Sequence, residues 1–208
     1  MSYTPQIDGM HLPFSGRWFV MHGGDTLNVN HHMQARAQWF GIDFMKVDGS
    51  SRRALFKADG KNVEDFYSWD EIVLAPASGK LEIVVDGLPD NPIGTQDGRN
   101  ICGNHVVIRT ENGKFIFIAH LRKGSVRGKS GDYIKAGDPI GRCGNSGNSS
   151  APHIHLHAQD TPDFNQGSGQ NMIFKSIGVE LTGKVFAKVD WPLIRGLFVW
   201  NANDEIEK

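Results

Sequence analysis

The segment Pro152-His153-Ile154-His155-Leu156-His157 carries three imidazoles at alternate positions with two aliphatics between them. A period of two is that of a β-strand, so the three rings share one face while Ile154 and Leu156 enter a core. On a helix, residues two apart do not face each other, and the rings would scatter. A strand can carry histidines on its polar face with no further meaning. A tract this dense in His nevertheless points to metal chemistry. Neutral imidazole nitrogens projecting from a strand are suitable ligands for a cation such as zinc.

A catalytic zinc takes about three protein ligands and keeps an open position for water. Beyond the His strand, the candidates are the pair His31-His32, Asp43 within an aromatic run, and His120 near the end of Phe115-Ile116-Phe117-Ile118-Ala119-His120-Leu121. Each also has an ordinary structural reading taken alone. His120 can close a strand, Asp43 can pair with an arginine, and His31-His32 can be a solvated turn.

The elements that must position these residues read as short strands. Gln38 to Lys46 is aromatic-rich and predicts a strand with Trp39, Gly41, Asp43 and Met45 on one face. From Ile72 onward, Gly, Pro, Asn and Asp separate further strand candidates. These are Ile72–Leu74, Gly79–Val85, His105–Arg109, Phe115–Leu121, Tyr133–Ile134, Pro139–Arg142 and the His strand to about Gln159. Asp86 to Asn104 is a long loop, a class that is often functional. Near 48–65 a polar stretch predicts a surface insertion. In the tail, Val179 to Lys188 predicts one strand, followed by an apolar run from Leu193 to Trp200. The pattern is that of a mainly β chain, an antiparallel sandwich or open barrel with long loops. Its expected organisation is an N-terminal extension over 1–30, a β domain over 31–159 and a C-terminal extension over 160–208.

Composition narrows the function classes. With 22 Lys and Arg against 23 Asp and Glu among 208 residues, no basic patch recommends nucleic acid as a partner. Twenty-five glycines against 9 prolines fit many tight turns between short strands. Cys102 and Cys143, the two cysteines, make neither a disulfide framework nor a zinc cluster and read as small buried hydrophobes, with one disulfide between them as the alternative. No apolar run approaches a membrane span, and the first residues lack the basic and apolar regions of a signal peptide. Oligomeric state and compartment are not legible.

The stretch from Gly41 to Gln159 resembles the lysostaphin-type (LytM-like) zinc endopeptidases. The likeness rests on an ordered set of phrases: Gly41-Ile42-Asp43, Ala75-Pro76-Ala77-Ser78-Gly79-Lys80-Leu81, Gly103-Asn104-His105-Val106-Val107-Ile108, Ile118-Ala119-His120-Leu121, Gly131 to Gly141, and Gly144 to His155. It implies a barrel-sandwich-hybrid kind of β domain, one zinc ion per chain, and hydrolysis of peptide bonds in peptidoglycan stem peptides or cross-bridges. A cell-envelope or secreted location goes with that substrate. The resemblance makes Asp43 and His155 zinc ligands and His120 and His153 unligated active-site histidines. His157 stands where the family more often has Glu, and reads as a supporting residue.

One position departs from the family. Its first ligand is usually a His four residues before the Asp, and here that residue is Trp39, whose indole nitrogen only donates. Asn30-His31-His32 resembles an Asn-x-His element of a divergent branch, which makes His32 the substitute. His31, or a site without such a ligand, are the alternatives. No His-Glu-x-x-His stands in the chain, so the helical metalloprotease plan is excluded. Other classes considered are a degenerate member acting as a cell-wall or partner-binding module, a biotinyl or lipoyl carrier domain, and a cupin-like metal site. The carrier lacks a lysine in the required surroundings, and the cupin lacks its Glu and its second His motif.

Overall fold

The structure, a computed structural model, describes residues 7–48 and 54–204. Among them are fourteen strands and three short 3-10 turns. In chain order the strands are β1 (Ile7–Met10), β2 (Trp18–His22), β3 (Ile42–Lys46), β4 (Ile72–Leu74), β5 (Gly79–Val85), β6 (Asn104–Arg109) and β7 (Phe115–Leu121). Then follow β8 (Tyr133–Ile134), β9 (Pro139–Arg142), β10 (Ile154–Gln159), β11 (Gly169–Gln170), β12 (Met172–Leu181), β13 (Lys184–Trp191) and β14 (Phe198–Asn201). The main sheet runs β1-β12-β14-β2-β3-β10-β7-β6-β5-β8, with β11 on β10 and β13 on β12, while β4 and β9 form a separate pair. Pairing is antiparallel except between β1 and β12. The fold is thus the expected mainly β, open architecture. Segment 1–30 supplies two strands of the main sheet, and β2 lies inside it beside β3.

Two expected strands differ. The run from Gln38 becomes strand only at Ile42, because Arg36–Gln38 forms a 3-10 turn and Phe40 has a left-handed backbone (φ 64°). The stretch Val179 to Lys188 is not one strand but parts of β12 and β13, which turn at Thr182-Gly183, both with positive φ. Positive φ at Gly183 carries little steric penalty, and the reversal goes there. Of the predicted insertion, 49–53 lie outside the described residues; in the rest, Phe56 bridges Phe66.

The alternation of β10 and β7 sorts their side chains as their sequences require. Ile116, Ile118, Ile154 and Leu156 are fully buried in the main core, with Phe44 and Val106. Phe14 stacks on Trp18 with ring centres 4.7 Å apart and meets Phe44 edge-on. The opposite face of the same strands is also covered. There, Cys102, Val107, Phe117 and Ala119 form a smaller apolar cluster with Phe164 against it. Cys102 and Cys143 are both buried and unpaired.

Candidate metal centre

Four adjacent strands set Asp43 and His155 in one row with His22. His22 on β2 pairs with Asp43 on β3, Asp43 with His155 on β10, and His155 with Ala119 on β7. Residues directly opposite across antiparallel strands project to the same face, so Asp43 and His155 meet side by side. His155 Nδ1 lies 2.9 Å from Asp43 Oδ1. His32 comes from outside the sheet, on the 3-10 turn His31–Gln34, and sets its Nε2 2.9 Å from Asp43 Oδ2.

That turn is anchored by Asn30. Its side-chain oxygen accepts from the His32 backbone N–H, and its amide donates to the carbonyls of Gly24 and Gly41. One side chain therefore ties the His32 turn to the residue two before Asp43. Gly41 allows the close approach, since a Cβ there would sit 3.2 Å from the His32 ring and 2.9 Å from the Gln38 carbonyl. Trp39 points elsewhere. Its indole donates to the Met33 carbonyl and the side chain is 38% exposed.

His120 reaches the same face by a backbone irregularity. Regular alternation would turn it away from Ala119, yet its φ is 63°, next to a register shift between β6 and β7. A left-handed non-glycine residue costs about 1–3 kcal/mol and needs the surroundings to hold it. Here the Nδ1–H of His120 donates to the Ser146 carbonyl, and its backbone N–H to Cys102. The 144–150 turn is itself fastened to the long loop: Asp90 accepts from Asn145 N, and Asn91 donates to Gly147 and Ser149 carbonyls. Gly103 and Gly147 touch so closely that a Cβ on Gly147 would stand 2.3 Å from Gly103 N. Gln96, Ile101 and Cys102 of the long loop line the cleft, about 380 Å³ in volume, into which the histidines open.

Hydrogen-bond partners assign the tautomers. A carbonyl only accepts, so His120 Nδ1 and His153 Nδ1, which face the Ser146 and Ala151 carbonyls at 2.8 Å, both carry protons. Their Nε2 atoms are left bare. His153 Nε2 lies 3.6 Å from Asp43 Oδ1, and the His120 and His153 ring centres are 4.7 Å apart.

Behind His155 runs a chain of the same logic. The Gln159 amide donates to the carbonyls of Thr161 and Asp163, so its oxygen faces His157 Nε2 and accepts from it at 3.2 Å. His157 Nδ1 is then bare and accepts from His155 Nε2–H at 2.8 Å. His155 Nδ1 is therefore a lone pair aimed at a carboxylate oxygen. Two acceptors 2.9 Å apart with no proton between them are reconciled by a cation. Nitrogen, nitrogen and carboxylate donors suit zinc. His157 also stacks on Phe117, with ring centres 4.6 Å apart.

The electrostatics agree. Burial alone would raise the Asp43 pKa, but His32 and His153 hold it well below the carboxylate range. Burial opposes charge on His32, and the Asp43 carboxylate outweighs it and raises its pKa. For His155, burial and then His32 push the pKa down to about 4. Burial, reinforced by His153, pushes His120 well below 6.5.

His32, Asp43 and His155 thus bring three ligand atoms within 4.8 Å of one another, as do His22, His31 and Asp43. The predicted residues converge on one cleft, with His120 and His153 beside the first trio. Sequence reasoning missed His22, which stands alone in a strand of unremarkable sequence, and Gln159, whose part depends on a loop folding back on it.

Residues 67–168 match the model of peptidase family M23, a span that includes His120, His153 and His155 but not His32 or Asp43. Among solved structures, the chain is similar to the catalytic domain of the antimicrobial peptidase lysostaphin from Staphylococcus simulans. The two are 23% identical over 73% of this chain and 86% of that one, with a TM-score of 0.43. A zinc-containing peptidase from Vibrio cholerae is 16% identical over 79% of this chain, which spans 39% of that protein, with a TM-score of 0.46. The M23 metalloprotease pseudoalterin is 18% identical, covering 90% of this chain and 98% of its own length, at a TM-score of 0.46. Over residues 67–168, just under half of its length, the chain is similar to peptidase family M23.

Proposed function

We propose that this protein is a zinc-dependent endopeptidase that hydrolyses peptide bonds in peptidoglycan stem peptides or cross-bridges. His32, Asp43 and His155 would hold the zinc, with His120 and His153 as the catalytic histidines. The observation that carries this reading is one cleft in which three donor atoms lie within 4.8 Å of one another beside two imidazoles with bare Nε2 atoms. The substrate class rests on the match of residues 67–168 to peptidase family M23.

Bound zinc supplies Lewis acidity toward a peptide carbonyl and lowers the pKa of water toward neutrality. The chain's own residues handle protons and orientation. A bare Nε2 on His120 or His153 takes the proton that the attacking water releases as it adds to the carbonyl carbon. The resulting imidazolium passes that proton to the leaving amine as the C–N bond breaks. The other ring positions the water. The Ser146 and Ala151 carbonyls fix each ring so that the reacting nitrogen faces the cleft. Asp43, held as a carboxylate, stabilises positive charge on His153 3.6 Å away.

A second reading, a binding module without catalysis, draws on Trp39 at the family's usual ligand position. Against it stands His32, whose Nε2 reaches Asp43 from another element. Metal analysis with a muropeptide hydrolysis assay separates the two. Protein purified without chelator is expected to retain one tightly held zinc and to cleave, and His155→Ala and His32→Ala to lose both. A folded protein that takes up no zinc on reconstitution would sink the endopeptidase reading.

A further inference from the structure

Histidines cluster around the carboxylate of Asp43. His155 of β10 and His32 of the 3-10 turn have ring centres 4.5 Å apart. Next to His32, 4.0 Å away, is His31 of the same turn, which meets His22 of β2 edge to face at 4.3 Å. Ligand atoms of His22, His31 and Asp43 also lie within 4.8 Å of one another. We propose that His22, His31 and the shared Asp43 carboxylate form a second, weaker site for a divalent cation of the zinc, cobalt or nickel class. This inference rests on the reading of His32, Asp43 and His155 as the first site.

Two details of β2 point to a ligand for His22. Val20 pairs with Phe44 and His22 with Asp43, so Met21 is an extra residue on β2. Without that bulge, Met21 would stand opposite Asp43 and His22 would turn away. Bulges re-aim side chains in this manner, often next to active sites. His22 Nδ1 is also buried and makes no hydrogen bond with the described residues. Buried polar nitrogens are ordinarily partnered, because leaving one unpaired forfeits the hydrogen bond that it made to water. A cation there would use the lone pair that nothing else satisfies. His31 is exposed and His22 half-buried, whereas all three members of the first trio are buried. Two imidazoles and a carboxylate suit borderline cations, and water completes the shell. Asp43 would then be shared between the two sites.

Titration of the metal-free full chain with Co2+, followed by calorimetry and by electron paramagnetic resonance, tests this. Wild type is expected to bind two equivalents, the second at least tenfold more weakly, with magnetic coupling once both are bound. His31→Ala and His22→Phe should each bind one equivalent and show no coupling. His31 is exposed, so its replacement leaves the core untouched should His22→Phe fail to fold. A wild type that saturates at one equivalent overturns the second site while leaving the first intact. So does a second equivalent that persists in both variants. Absence of any binding would instead sink the reading of the first site.

Discussion

The two faces of β10 are equally buried and held by opposite means. Ile154 and Leu156 sit in an apolar core where packing is non-directional. His155, His157 and Gln159, interleaved with them, are nearly inaccessible too, yet each depends on a named partner with one donor–acceptor order. A period-two pattern of His and aliphatics therefore need not mean one wet face. The polar face here is a dry, ordered wire ending in a lone pair at Asp43.

Substitutions on the two faces should therefore fail differently. On the polar face, His155→Ala is expected to abolish zinc retention and hydrolysis together, as read by metal analysis and product release. A variant retaining stoichiometric zinc would break the comparison. On the apolar face, Leu156→Ala should cost about 2–5 kcal/mol of stability in a denaturant melt. The protein that remains folded should still bind one tight zinc.

Within the wire, His157→Phe leaves His155 Nε2–H without an acceptor. Zinc affinity by chelator competition should fall roughly 10–100-fold, the usual size of such supporting effects. His157→Gln, whose amide oxygen can accept that proton, should recover part of the loss. Equal loss in both would reduce His157 to a packing role.

Acid should separate the faces as well. Burial holds His155 near 4, and His120 and His157 well below 6.5, so they fold neutral. The unfolded chain takes up their protons at about pH 6.5, so metal-free protein should lose stability as pH falls from about 6.5 toward 4. His32 has the opposite sign: its raised pKa adds stability below 6.5 that disappears as pH rises through its folded value. Burial lowers His22, His31 and His105 as well, so the net direction is as stated, and urea midpoints at pH 7.5 and 5 measure it. The smallest effect is expected at Trp39. Restoring the family's usual ligand with Trp39→His should not rescue zinc binding in His32→Ala, because residue 39 sits on the Met33 carbonyl, facing outward.

The strands that place the candidate site were largely legible. β4, β5, β7 and β8 follow runs of β-branched and aromatic residues between turn formers, β9 (Pro-Ile-Gly-Arg) has its expected bounds without such a run, and β6 begins one residue before its predicted start. Asp43, His120, His153 and His155 could be named because their neighbours in sequence are distinctive. What escaped depended on the third dimension. A left-handed Phe40 shortened β3, a bulge at Met21 turned His22 inward, and the Gln159 amide was oriented by carbonyls of a loop. None of these leaves a periodic mark, since each is one residue breaking a pattern.

Asp43 and His155 are 112 positions apart along the chain and touch only because β3 lies against β10. Joining segments so distant requires closing a large loop, an event that comes late and slowly in folding. His32 and Asp43, 11 positions apart, can meet locally, but His155 joins them only when that loop is closed. Tight cation capture would therefore signal that the middle of the sheet has zipped shut, and hydrolytic competence would arrive only with the finished fold.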